Sequence, residues 1–213
     1  MLSIAVAKGR LLDSFIQLLE EAGYCCQLLK QDTRQLVLEI PEINLCFILA
    51  KPADVPTYVE YGSADLGVVG KDILAETDKD VAELIDLKYG RCRLVVAVPE
   101  NLRISSVQDL DFNSRVASKY PHIANDYFNS RGIQVEVIPL HGSIELGPII
   151  GLSEAIVDIT ETGRTLKENG LVIIDTIMES TARLAANHIS LKTKRKEISK
   201  LISDLNSVIE GVV

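Results

Sequence analysis

The residues best equipped for chemistry lie together in Ala155-Ile156-Val157-Asp158-Ile159-Thr160-Glu161-Thr162-Gly163-Arg164-Thr165-Leu166. An apolar strand runs here into a turn of hydroxyl residues and glycine that opens a helix, so backbone N–H groups, hydroxyls and the positive helix end converge. That arrangement suits a phosphate monoester. Asp158, at the carboxyl end of the strand, could accept hydrogen bonds from ribose hydroxyls, while Arg164 adds positive charge. The same residues could equally make an ordinary strand-to-helix turn in which Asp158, Thr160 or Thr162 merely caps the helix. The segment by itself leaves both readings open.

Such a loop needs a scaffold, and the chain supplies one. With 213 residues, 47% of them hydrophobic, and a mean hydropathy of +0.19, there is apolar material for one large domain or two small ones. Apolar runs of strand length fall at 2–7, 36–40, 45–50, 66–69, 94–98, 135–138, 155–159 and 171–174. Helical patterns fall at 11–22, 55–61, 123–131, 163–168 and 194–210, the first with Leu11, Leu12, Phe15, Leu18, Leu19 and Ala22 on one face. Strands alternating with helices indicate an α/β fold with mainly parallel sheets. The strand-and-helix series restarts near Lys88-Tyr89-Gly90-Arg91 and returns near Met178, which suggests one lobe from 1–88 plus 179–213 and a second from 89–178.

Charge and cysteine usage narrow the function. The 22 basic against 30 acidic residues leave a net charge of −8, which argues against non-specific nucleic-acid binding and requires any anionic ligand to meet focused basic side chains. Cys25, Cys26, Cys46 and Cys92 form no Cys-x-x-Cys pair and have no metal-ligand spacing with the histidines, as expected of reduced thiols. No apolar run approaches the ~18–20 residues of a membrane span, and Lys8 and Arg10 arrive too early for a secretory leader. A cytoplasmic location is expected.

Other segments, in order, carry a resemblance: Ala7-Lys8-Gly9-Arg10-Leu11, Thr33-Arg34-Gln35-Leu36, Asp54-Val55-Pro56-Thr57-Tyr58-Val59, Gly62 through Asp72, Cys92-Arg93-Leu94, Lys119-Tyr120-Pro121, and Gly142-Ser143-Ile144-Glu145-Leu146-Gly147-Pro148 before the loop at 158–165. Together they resemble the ATP phosphoribosyltransferases, the first enzymes of histidine biosynthesis. The chain is similar to their short form, which lacks a C-terminal histidine-binding domain. The resemblance implies a fold like that of type II periplasmic-binding proteins, two α/β lobes with the active site in the interlobe cleft.

It further implies transfer of the 5-phosphoribosyl group from phosphoribosyl pyrophosphate to N1 of ATP, with Mg²⁺ present and pyrophosphate released. Asp158, Thr160, Glu161, Thr162, Gly163, Arg164 and Thr165 would bind phosphoribosyl pyrophosphate. Lys8, Gly9, Arg10, Lys51 and Glu145 would bind ATP, and Arg10 and Arg34 would be catalytic. Displacement at C1′ passes through a cationic centre with departing pyrophosphate, so cations are needed on the leaving side and no covalent nucleophile. Lys51 stands where the family more often has arginine, which favours a point charge over a bidentate contact. Glu145 could hold an adenine or ribose group, or cap a helix starting near Ile144. His141 resembles a general base, but N1 carries no proton to remove. No carboxylate cluster is spaced for an all-protein Mg²⁺ cage, and the ion's protein ligands stay unassigned.

Expected partners are ATP, phosphoribosyl pyrophosphate and a separate histidyl-tRNA-synthetase-like regulatory subunit, with a homodimer inside a hetero-oligomer, and no nucleic acid or membrane. A non-catalytic ligand-binding or sensor module of the same two-lobed fold is the competing expectation, because the fold serves both.

Overall fold

The computed structural model describes residues 1–30 and 34–211. Thr33 of the expected Arg34 motif lies outside the described residues. The chain forms two compact units, one made of Met1–Gly90 with the chain from Thr181 onward, the other of Arg91–Ser180. These divisions fall two residues later than the sequence suggests. Tyr89 belongs with unit 1, where its hydroxyl donates to the Leu11 carbonyl (3.3 Å) and its carbonyl accepts the Ala182 N–H (2.9 Å).

Unit 1 contains β1 (Leu2–Ala7), α1 (Arg10–Glu21), β2 (Val37–Ile40), β3 (Leu45–Ala50), α2 (Val55–Glu60), β4 (Leu66–Gly70), α3 (Lys71–Thr77) and β5 (Ala82–Asp86). Unit 2 contains β6 (Cys92–Pro99), β7 (Arg115–Ser118), α4 (Pro121–Ser130), β8 (Glu136–Pro139), α5 (Leu146–Ile149), β9 (Ala155–Thr160), α6 (Arg164–Glu168) and β10 (Leu171–Ser180). The chain then adds β11 (Ala182–Ala186), α7 (His188–Thr193) and α8 (Arg195–Gly211) to unit 1.

The sheets are ordered β2-β3-β1-β4-β11-β5 and β10-β6-β9-β7-β8. Both are mixed. Parallel pairing joins β1 to β3 and β4 in the middle of the first sheet, and β7 to β8 and β9 on one side of the second. The remaining pairs are antiparallel, which needs no crossover helix. The central strands are buried, hence their continuous Val, Ile, Leu and Ala runs.

In unit 1, α1 buries Leu12, Phe15, Ile16, Leu18 and Leu19, and α8 buries Ile198, Leu201 and Leu205 in the same core as Phe47 and Leu184. Each such side chain contributes roughly 1.5–3 kcal/mol by leaving water. In unit 2, Val95, Ala97, Ala117 and Ile156 on one sheet face pack with Ile144 and Leu166. No helix among the described residues is long and apolar enough to cross a membrane.

Candidate active site

In unit 2 the parallel strands β7, β8 and β9 bring their carboxyl ends to one sheet edge. From β7 the chain runs through α4 to β8 on one side, while from β9 it runs through α6 to β10 on the far side. The loops after β7 and β9 therefore diverge, the arrangement that opens a binding crevice at the carboxyl edge of α/β sheets. Lys119 follows β7, His141 follows β8, and Asp158 and Thr160 end β9.

Neighbouring residues hold these positions. The buried Ser118 hydroxyl donates to the Val157 carbonyl (2.7 Å) and accepts the Tyr120 N–H (2.8 Å), fastening the Lys119 loop to β9. At Gly147 a Cβ would stand 2.9 Å from the Ala117 Cβ and 2.8 Å from the Ser153 hydroxyl, so glycine lets α5 press onto β7. Glu145 immediately precedes α5. It makes no side-chain cap there, so the capping alternative is not realised.

Asp158 is half-buried. Burial pushes its carboxyl up, the Ile159 N–H bonded to Oδ1 at 2.8 Å opposes this, the Glu145 charge pushes it further, and Lys119 pulls it down; the result is about 6. Two carboxylates and a lysine thus sense one another at the carboxyl edge. Lys119 was absent from the candidates drawn from sequence. Its signal was Lys119-Tyr120-Pro121, but its place on the edge depends on β7, whose four residues Arg-Val-Ala-Ser do not read as a strand.

The turn after β9 is braced by its own hydroxyls. Thr160 Oγ1 accepts the Gly163 N–H at 2.8 Å, and Thr162 Oγ1 accepts the Arg164 N–H at 3.4 Å. Gly163 has φ +77°, a left-handed conformation that favours glycine. Asp158 takes no part in this bracing. Glu161, Thr162 and Thr165 are exposed, and Arg164 lies on Glu168 (Nε–Oε1 2.7 Å) in an exposed pair.

The basic candidates gather at the corresponding edge of unit 1. Lys8, Gly9 and Arg10 follow β1, with Gly9 at φ +98°, ψ −151°, a conformation essentially reserved for glycine. Lys51 follows β3. The antiparallel pairing of β2 with β3, extended by the Leu49 N–H donating to the Leu36 carbonyl (2.8 Å), brings Arg34 toward that edge as well. All four cations are exposed. Lys71, after β4, is paired with Glu83 at 2.5 Å. Among the described residues no group of three or more His, Cys, Asp or Glu side chains is gathered to hold a metal.

Comparison with known proteins decides what this arrangement belongs to. The sequence profile of the HisG family, ATP phosphoribosyltransferase, matches residues 51–207. The chain belongs to the ATP phosphoribosyltransferase family. The ATP phosphoribosyltransferase of Caldanaerobacter subterraneus subsp. tengcongensis is 52% identical over 211 residues, covering 99% of both chains. That of a Thermoanaerobacter species is 51% identical, over 98% of this chain and 96% of the relative. The ATP phosphoribosyl transferase (HisG:HisZ) complex from Thermotoga maritima contains a chain of the same fold, with TM-score 0.83, 35% identity, and 99% and 100% of the two chains covered. The aliphatic sulphonate binding protein SsuA of Escherichia coli shares the fold alone, with TM-score 0.64 at 17% identity over 98% of this chain and 72% of that one. As an ATP phosphoribosyltransferase the chain transfers 5-phosphoribosyl from phosphoribosyl pyrophosphate to N1 of ATP, the first step of histidine biosynthesis.

Proposed function

We propose that the carboxyl edge of unit 2 is the phosphoribosyl pyrophosphate site of this transferase. The observation that carries the reading is Asp158, half-buried at the end of β9 beside Glu145 and Lys119 and next to the Thr160–Gly163 turn. Its carboxylate accepts the ribose hydroxyls. Thr160, Glu161, Thr162, Gly163, Arg164 and Thr165 surround the 5-phosphate with N–H groups, hydroxyls and one guanidinium, and Arg164 has only an exposed pair to give up.

At the edge of unit 1, Lys8, Gly9, Arg10 and Lys51 take the phosphates of ATP, and Glu145 of unit 2 takes an adenine or ribose group. The N1 lone pair forms the bond to C1′ as the C1′–O bond breaks, and the electron pair leaves with pyrophosphate. Arg10 and Arg34 stabilise the charge that grows on those leaving oxygens, an interaction stronger in the transition state than in the ground state. No general base is required, so His141 serves the turn. Bound Mg²⁺ would supply further neutralisation of the charge on the pyrophosphate, while Arg10 and Arg34 stabilise its leaving oxygens.

We further infer a cytoplasmic enzyme working as a homodimer within a hetero-oligomer. The relative from Thermotoga maritima is a HisG:HisZ complex, which supports a separate regulatory subunit here, related to histidyl-tRNA synthetase on the resemblance. Histidine then acts through that subunit. The site is tested by mixing purified enzyme with both substrates and following pyrophosphate release and the ultraviolet signature of N1-substituted adenine. Asp158→Ala should abolish both while the protein stays folded, and unchanged kinetics would refute the reading. Regulation is tested by calorimetry: tight histidine binding to the isolated chain, away from the ATP site, would overturn the inferred partner dependence.

A further inference from the structure

The strand that opens unit 2 carries a charge with no role so far. Arg93, in β6, lies directly opposite Thr160 of β9, and Val95 lies opposite Asp158. Opposed residues of an antiparallel pair project to the same face, as do residues two apart on one strand. Arg93, Val95, Asp158 and Thr160 therefore share one face. Its apolar stretch, through Val95 and Ile156, is covered by Ile144 and Leu166. Arg93 and Thr160 stand at the end of the face, where the turn begins.

Arg93 is half-buried, and among the described residues its guanidinium has neither an ion pair nor a hydrogen bond. Nearby carboxylates are otherwise engaged. Glu179, its opposite number on β10, pairs with Arg91 at 2.8 Å. The cation that Asp158 senses is Lys119. A partly desolvated guanidinium without a counter-ion is costly, and a net charge of −8 would make an internal partner easy to supply. The vacant partner is best filled by an anion that arrives with the ligand.

We propose that Arg93 is a substrate-binding residue that holds the 5-phosphate of phosphoribosyl pyrophosphate from the strand side, opposite the Thr160 turn. Its planar fork takes two phosphate oxygens at once, which a lysine cannot do. The assignment rests on the reading that the turn at 160–165 receives this phosphate.

The test uses the enzyme with its regulatory subunit, and ribose 5-phosphate and inorganic pyrophosphate as separate inhibitors competing with phosphoribosyl pyrophosphate. Arg93→Gln should raise KM for phosphoribosyl pyrophosphate and Ki for ribose 5-phosphate roughly 10- to 100-fold, with KM for ATP and Ki for pyrophosphate within about twofold. Arg93→Lys should recover part of the loss, which also guards against a folding defect in the first variant. Thr160→Val, run beside them, separates the two ideas. If it weakens ribose 5-phosphate and neither Arg93 variant does, Arg93 has no such role and the loop reading stands. If none of the three alters ribose 5-phosphate binding, the loop reading falls and the Arg93 assignment falls with it.

Discussion

Strand for strand, β3-β1-β4-β11-β5 of unit 1 matches β8-β7-β9-β6-β10 of unit 2: three parallel strands, then two added antiparallel. The difference lies in how each unit treats a shielded aspartate on its third parallel strand. Asp65, buried at the amino end of β4, is saturated. Its Oδ2 receives Lys194 Nζ at 2.7 Å and the Ser3 N–H and hydroxyl, and its Oδ1 receives the Ser190 hydroxyl at 2.7 Å. Burial pushes this carboxyl up, but the hydrogen bonds from Lys194, Ser3 and Ser190 together outweigh it and hold it below the ordinary range. Asp158, at the carboxyl end of β9, has one neighbouring N–H and a second carboxylate nearby, and burial wins, at about 6. The amino edge of unit 1 spends its charge on joining β1, β4 and the C-terminal helices. The carboxyl edge of unit 2 leaves the Asp158 carboxyl with a single hydrogen bond, from the adjacent Ile159 N–H, among the described residues, as expected of the proposed site.

The sharpest way to break this contrast is Asp158→Asn. Catalysis should fall by about 10²-fold or more, as when one preorganised transition-state contact is removed, and unchanged kcat/KM would sink the contrast. Stability should move the other way. A carboxyl raised from 3.8 to about 6 favours the fold below its unfolded value, and that stabilisation is lost as pH rises through 6. Denaturant titrations should find the variant more stable by up to about 3 kcal/mol near pH 7.5, and level with the parent near about pH 4.

Arg10→Ala or Arg34→Ala should lower kcat by roughly 10²-fold if these edge cations act on the departing pyrophosphate. A raised KM with normal kcat, in single-turnover measurements that exclude slow product release, would make them binders only.

Lys194→Met tests the opposite pole. It strands a buried carboxylate and should cost roughly 1–3 kcal/mol of unfolding free energy without altering KM for either substrate. Because Asp65 is held low, its stabilising charge is present above the ordinary carboxylate range and is lost on acidification, so the parent's advantage should shrink as pH falls. The smallest effects belong to Thr162→Val and Thr165→Val, each raising KM for phosphoribosyl pyrophosphate by about 3- to 10-fold, the worth of one neutral hydrogen bond.

Much of the scaffold was legible because burial is written in side-chain type. β1, β3, β4 and β9 are runs of Val, Ile, Leu and Ala, and α1 and α8 carry one apolar stripe each, so their positions followed within a residue or two. β7 and β11 were not legible. Arg-Val-Ala-Ser and Ala-Arg-Leu-Ala-Ala contain little that prefers a strand, and they are strands because neighbours on both sides supply hydrogen bonds and cover. β10 continues to Ser180, past the apolar run at 171–174, because β6 offers it a partner along that length.

The same division holds at the site. The sequence alone narrowed the candidates for a phosphate, since hydroxyls, glycine and arginine after an apolar strand suit an anion as well as an ordinary helix-opening turn, and the ordered motifs determined the family. Only the tertiary structure decided that Thr160 and Thr162 brace their own turn, that Glu145 leaves its helix uncapped, and that Lys119 and Glu145 bear on Asp158. The first two are local turn geometry, whereas the last is a fact of strand order and register. Residues up to 39 positions apart meet only once β7 and β9 lie side by side, and no local pattern of side chains encodes which strands will be neighbours.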